Sequence, residues 1–225
     1  MKEIQIIGTS HIARESVEAV RQKIEEVRPE IIALELDLAR FEVLFKKQDI
    51  KIRMSDIRRF GVKGFLFNLV GAFIEKKLGE KVGVAPGSEM KAAVIAAKKN
   101  SARIVLIDQD ITVTLKKLSK RITWKERGRL VGDIIKGLWS KKKVGIDLSK
   151  VPSNKLIKRM TNEVKKRYPS IYKTLIYERN HIMAQNLYNL KRLNPDTKIL
   201  AIVGAGHVKE MNQLLKGKED DDFRK

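Results

Sequence analysis

Glu3-Ile4-Gln5-Ile6-Ile7-Gly8, then Val17, Val20, Ile24 and Val27, then Pro29 and Ile31-Ile32-Ala33-Leu34-Glu35-Leu36: this opening stretch decides the fold. The first run is short, apolar and closed by glycine, which predicts a strand. The four middle residues, spaced by three, four and three, define one face of an amphipathic helix. The last run is apolar on both faces, as a parallel strand covered by helices would be. Strand, helix and strand in about 35 residues form a βαβ unit. A right-handed crossover makes its two strands parallel and brings Gly8 and Glu35 to one edge of the sheet.

Working outward, Arg103–Ile107 and Lys198–Val203 read as third and fourth strands. A helix is expected after Pro86-Gly87, with Ser88 as N-cap, Glu89 in the first turn, and Met90, Ala93, Val94 and Ala97 on one face. Pro169 opens a longer helix in which Ile176, Asn180, Met183, Leu187 and Leu190 make one stripe. Tyr172, Leu175, Arg179 and Ile182 make the adjacent one. A short helix over Val208–Leu215 closes the chain. Residues 41–78 read as irregular helix, and the apolar run Gly64–Ile74 is too short to span a bilayer. Core packing, a membrane-interface segment and a homodimer surface are the readings open to it. The expected fold is α/β with a mostly parallel central sheet, flanking helices and a basic helical insertion over about 112–168. It forms one domain over 1–217, followed by an acidic tail, 218–225, expected to be disordered.

Composition narrows the function classes. The 225 residues include no cysteine, so disulfides, zinc ribbons and thiol nucleophiles are excluded, and any metal must take nitrogen and oxygen ligands. The N-terminus lacks the pattern of a signal peptide, and no transmembrane helix is legible, so a cytoplasmic location is expected, with peripheral contact to a membrane left open. The net charge of +21 is uneven. Between Lys116 and Lys173 there are 19 basic and 4 acidic residues, a net of +15. Such a segment attracts phosphates, anionic headgroups or acidic peptides, or is simply a solvated lysine-rich surface. It carries no nucleic-acid motif and little aromatic interleaving, so specific nucleic-acid binding is not expected.

Candidate chemistry collects at the strand ends. Gly8-Thr9-Ser10-His11 and Gly204-Ala205-Gly206-His207 place two of the three histidines at equivalent strand-to-helix positions. Glu35 and Asp37 follow the second strand, and Asp108 and Asp110 follow the third. Ligands gather at this edge of open α/β sheets. Imidazoles and carboxylates together can hold a divalent ion that lowers the pKa of bound water. Gly8, Gly204 and Gly206 are expected as turn glycines that permit sharp bends and close approach. Asp37 with Arg40 suits a helix-start charge or a local ion pair, and Asp108 suits either the site or a helix cap. Glu89 either complements its helix dipole or joins the site. Arg179, on a buried face, needs an anionic partner: it either fixes Glu35 or stabilises an oxyanion.

The same residues carry a family resemblance. Gly-Thr-Ser-His11, Leu34-Glu35-Leu36-Asp37 with Arg40, Pro86-Gly87-Ser88-Glu89-Met90, Ile107-Asp108-Gln109-Asp110, Glu178-Arg179-Asn180 with Met183-Ala184, and Gly204-Ala-Gly-His207 resemble the TraB/PrgY (pheromone shutdown) family, with which the animal TIKI proteins are grouped. The resemblance runs from about residue 3 to residue 215. It implies a fold related to the erythromycin-esterase-like and ChaN-like group, and a metal-dependent peptidase activity, TIKI members being described as Mn- or Co-dependent proteases. By motif, His11 and His207 are the metal-associated histidines, with Glu35 as nearest acid and Glu89, Asp108, Arg179 and Asn180 around them. The resemblance does not fix which acid ligates and which acts as base. Many bacterial and archaeal relatives continue into C-terminal transmembrane helices, whereas this sequence ends at Lys225, so a membrane role by that route is not expected.

The expected activity is that of a metal-dependent hydrolase acting on a peptide or protein. Its Mn or Co ion, with Zn as the further candidate, would be bound by His11, His207, Glu35 and Asp108. Glu35 or Glu89 would accept the proton of the bound water, and Arg179 and Asn180 would complete the catalytic group. The competing expectation is a protein that sequesters a peptide or other anionic ligand in the same crevice without turnover.

Overall fold

The structure, a computed structural model, describes residues 4–10, 14–46, 87–139 and 153–222. The elements in order are β1 (Ile4–Thr9), α1 (Arg14–Val27), β2 (Ile31–Leu34), α2 (Leu38–Lys46), α3 (Ser88–Lys99), β3 (Arg103–Leu106), α4 (Ile111–Arg121), α5 (Trp124–Trp139), α6 (Asn154–Arg167), α7 (Pro169–Tyr172), a π-helical turn (Lys173–Tyr177), α8 (Glu178–Leu193), β4 (Ile199–Gly204) and α9 (Ala205–Asp222). All four strands are parallel, in the order β1-β4-β2-β3. The last strand therefore lies between the two strands of the opening βαβ unit. Thr9 pairs with Gly204, and Leu34 pairs with both Ile202 and Leu106, so the strands end at a common edge.

The sheet is covered on both faces. Ile32, Leu34, Leu200 and Ile202 point to one side, against Val20 and Ile24 of α1 and Met90, Ala93, Val94 and Ala97 of α3. Their alternates Ile31, Ala33, Ile199, Ala201 and Val203 point to the other, against Met183, Ala184 and Leu187 of α8 and Met211 and Leu215 of α9. This alternation is the period of two that a pleated strand imposes. Each such fully buried Ile, Leu or Val stabilises by roughly 1.5–3 kcal/mol relative to exposure. The expected α/β class is what the chain adopts.

Several boundaries differ from the sequence expectation. Gly8 and Gly204 lie inside strands, and Gly206 lies in the first turn of α9. Gly8 is needed for packing: a Cβ there would sit 2.8 Å from Val208 Cγ2 and 3.0 Å from Ala205 Cα. Among the described residues the glycine that needs its conformational freedom is Gly87, at φ 79°. It is the N-cap of α3, and Ser88 is already helical. The tail expected to be disordered is helical through Asp222, because extending a formed helix adds a hydrogen bond for each residue fixed. The insertion is helical as expected in α4, α5 and α6, and residues 140–152 lie outside the described residues.

Charged groups tie the insertion to the body. Lys117 and Arg121 pair with Glu178, and the Ser170 N–H donates to Glu126 Oε1 at 2.7 Å. Asp133 receives Arg167 and the Tyr168 hydroxyl. Among the described residues no helix is long and apolar enough to cross a membrane, and the run 64–74 lies outside them.

Candidate functional site

Glu35 directly follows β2, and its backbone continues the ladder by donating to Ile202 O at 3.1 Å. Its side chain is thereby fixed beneath the end of β4, where the Gly204 N–H donates to Oε2 at 2.6 Å. Asp37 caps α2: its Oδ1 accepts from the Arg40 N–H at 2.9 Å. Its Oδ2 receives Arg40 Nε at 2.7 Å and the Ile111 N–H at 3.1 Å. Asp37 is thus both a helix-start residue and half of an ion pair. The cap of α4 is Asp110, which accepts from the Thr112 N–H at 2.6 Å. That leaves Asp108 for the site.

Arg179, near the start of α8, joins these strand ends. Its Nε lies 3.1 and 3.2 Å from the two Asp108 oxygens, and its Nη2 donates to Asp108 Oδ2 at 2.6 Å and to Glu35 Oε1. Its Nη1 donates to Leu175 O at 3.1 Å, a carbonyl of the π turn. One extra residue in that turn displaces the helix before Arg179 relative to α8, so the stripe drawn through Tyr172, Leu175 and Arg179 does not run on unbroken. Arg40 Nη2 reaches Asp108 from the other side. The Asp108 side chain is fully buried and that of Glu35 nearly so. Burial by itself would lower the pKa of Arg179. Attraction to Glu35 and the hydrogen bonds to Asp108 outweigh it and hold the guanidinium above its ordinary value. The same balance, with Asp108 and Asp37 as partners, raises Arg40.

His207, buried in the first turn of α9, is oriented from behind. Its Nδ1 is 2.5 Å from Asn180 Oδ1, and the Asn180 Nδ2 donates to Glu210 Oε2 at 2.7 Å. Only the amide nitrogen can donate to the carboxylate, so the amide oxygen faces the ring and Nδ1 carries a proton. The Tyr172 hydroxyl stands 3.5 Å from the same Glu210 oxygen. Burial first, then Glu210, raises the Tyr172 pKa and keeps it a donor. His207 Nε2 faces forward, 3.3 Å from Glu35 Oε1 and 3.5 Å from Arg179 Nη1. With a proton it can donate to Glu35, and without one it can accept from Arg179. Both protonation states have a partner, which suits a group that exchanges protons.

Of the residues expected at the site, Glu35, Asp108, Arg179, Asn180 and His207 are brought together. Glu89 is buried in the first turn of α3, whereas the hydrogen bonds of Arg179 and His207 go to other residues. His11 lies outside the described residues. Sequence reading missed Glu210, Tyr172 and the bond from Arg40 to Asp108. The signal for Glu210 was present, since it stands three residues after His207 on one helix face.

A divalent ion matches the sign of this cluster's charge but not its geometry. Three carboxylates (Glu35, Asp37, Asp108) face two guanidiniums, an excess of one negative charge among these described groups, and Glu210 is joined to them only through Asn180 and His207. Yet the guanidinium of Arg179 spans Glu35 and Asp108, where a cation would have to sit. Among the described residues no group of three His, Asp or Glu side chains is disposed to hold a metal. As they stand, these donors fit a guanidinium and not a dication.

Comparison with known proteins agrees with the TraB/PrgY part of the resemblance. An uncharacterized protein of Methanocaldococcus jannaschii is 34% identical over 223 residues, 97% of this chain and 54% of that protein. The TraB domain-containing proteins of Homo sapiens and Bos taurus are 22% and 23% identical over 229 residues, 91% of this chain and 60% of theirs. The chain therefore spans little more than half the length of these relatives. The TraB/PrgY/gumN family matches residues 1–224, and the chain belongs to that family.

Proposed function

We propose that the chain is a hydrolase acting on peptides, with its reacting centre around His207 at the carboxyl edge of the sheet. The observation that carries this reading is the doubly held imidazole: Asn180 and Glu210 fix Nδ1, while Nε2 lies between an acceptor on Glu35 and a donor on Arg179. An imidazole so oriented takes a proton from an attacking water and returns it to the leaving group. Glu35 stabilises the imidazolium formed in the first step. The donors of Arg179 go to Glu35, Asp108 and Leu175 O, with one Nη1 hydrogen left facing His207 Nε2, which makes it a positioning residue for both acids. The peptide as substrate rests on the family resemblance.

The Mn or Co ion of the sequence expectation, with Zn as the further candidate, belongs to a second reading. The excess of carboxylates favours it, and the position of Arg179 opposes it. In it His11, His207, Glu35 and Asp108 would hold the ion once Arg179 had left the acids, and the ion would supply a water of lowered pKa; His207, ligating through Nε2, would then not be the base.

The test is hydrolysis of a fluorogenic peptide library by the full chain, with chelator and with each ion added, beside metal analysis of the purified protein. The His207→Ala variant should lose about 10²–10⁴-fold in rate. Asn180→Leu should lose less and alter the pH profile. Turnover unchanged in His207→Ala would end the assignment, as would no turnover under any condition. Metal content unchanged in a His11→Ala, His207→Ala double variant would remove the ion from this site.

A further inference from the structure

Behind His207, on the side of Asn180 and Glu210, a groove of about 580 Å³ runs between α6 and the first turns of α9. Its volume is that of a ligand site. Lys158 and Lys165, seven residues apart on one face of α6, line one wall, and Lys209 lines the other. Among the described residues none of the three forms an ion pair. Lys165 Nζ lies 5.2 Å from the centre of the Tyr172 ring, which faces the same space. The one lining carboxylate, Glu210, is already bound to Asn180. The groove therefore carries a net charge of +2, and a concave wall concentrates that potential. Gly206 and Val208, the neighbours of His207 in sequence, both line it. A Cβ at Gly206 would meet nothing within 4 Å, so the floor next to His207 is open.

We propose that this groove binds an acidic segment of the peptide substrate and so sets the specificity of the site for acidic peptides. The assignment rests on the peptide-hydrolase reading. Lysines supply point charges that a string of Asp or Glu side chains can meet at several spacings. Asn162 and Gln213 in the walls can pair with peptide amides, and Tyr172 with Ile157 provides apolar contact. No arginine lines the groove, and with it is missing the forked geometry that recognises phosphate in two places. A segment laid here passes over Gly206, the residue before His207.

Binding is read by fluorescence anisotropy of a labelled hexapeptide containing three Asp, against its Asn counterpart, with the full chain and with His207→Ala. The acidic peptide should bind at least tenfold more tightly than the neutral one to both proteins. A Lys158→Gln, Lys165→Gln, Lys209→Gln variant should lose tenfold or more. A variant with the same charge loss outside the groove, Lys116→Gln, Lys155→Gln, Lys166→Gln, should lose less than threefold. Circular dichroism checks that each variant is folded, which the exposed positions of all six lysines favour. Equal loss in the two triple variants would overturn the proposal in favour of bulk electrostatics. Equal affinity for the Asp and Asn peptides would overturn it, and displacement of the peptide by millimolar inorganic phosphate would reassign the groove to phosphate. Because binding is measured without turnover, tight groove binding by a chain that never cleaves would end the hydrolase reading and leave the groove standing.

Discussion

Removing Arg179 tests the centre of the structure most directly. In Arg179→Met the volume is roughly kept, but Glu35 and Asp108 lose the guanidinium that spans them. Asp108 retains Arg40 and the Gln109 N–H at 2.8 Å, and Glu35 retains the Gly204 N–H and His207. One charge is therefore stranded in part at each of two sites, which corresponds to the broken buried ion pair whose loss costs about 3–5 kcal/mol. For a chain of this length each kcal/mol moves the melting temperature by about 2–4 °C, so the variant should melt about 6–20 °C lower. The pH dependence follows from proton linkage. Stranded carboxylates bind protons more readily in the folded than in the unfolded chain, so the deficit should shrink as pH falls from 7 towards about 4. Urea unfolding at several pH values measures both. Arg179→Lys, which keeps the charge and loses the fork, should recover only part of the deficit. A loss under about 1 kcal/mol at pH 7, or one that does not shrink on acidification, would refute the view that Arg179 neutralises this buried pair.

Three further outcomes are expected. Thr174 is fully buried in the π turn and its hydroxyl has no partner among the described residues, so Thr174→Val should leave stability unchanged or raise it by about 1 kcal/mol in urea unfolding; a loss would show that the hydroxyl is satisfied. Gly8→Ala should cost about 1–3 kcal/mol through contact with Val208 and Ala205, and adding Val208→Ala should recover only part, because the Ala205 backbone stays in place. Asp133, held by Arg167 and Tyr168, has its pKa lowered to about 2. Its contribution to the contact of α5 with α6 is present above the unfolded-state value near 3.9 and is lost as pH falls through about 2. A carboxyl NMR titration should find that low midpoint, and Arg167→Ala should return it to the ordinary range.

The local pattern of this sequence was enough for its elements. Period-two and apolar runs marked all four strands, and spacings of three and four marked α1, α3 and α8, because those periods are properties of short segments. Boundaries were less legible. The N-cap of α3 proved to be Gly87, since a left-handed backbone at the cap leaves no trace in the periodicity that follows, and the π turn before Arg179 is invisible for a similar reason.

Residue chemistry at the strand ends also named Glu35, Asp108 and His207, and the stripes of the helix after Pro169 added Arg179 and Asn180. A parallel sheet delivers such ends to one edge, whatever its strand order. What only tertiary structure decided is the order itself and the pairing within the site. β4 enters between β1 and β2, and Arg179 joins Glu35 across 144 residues and Asp108 across 71. These partners are chosen by how α8 and α9 pack against one face of the sheet, a long-range balance of burial and charge that no local window of the chain contains.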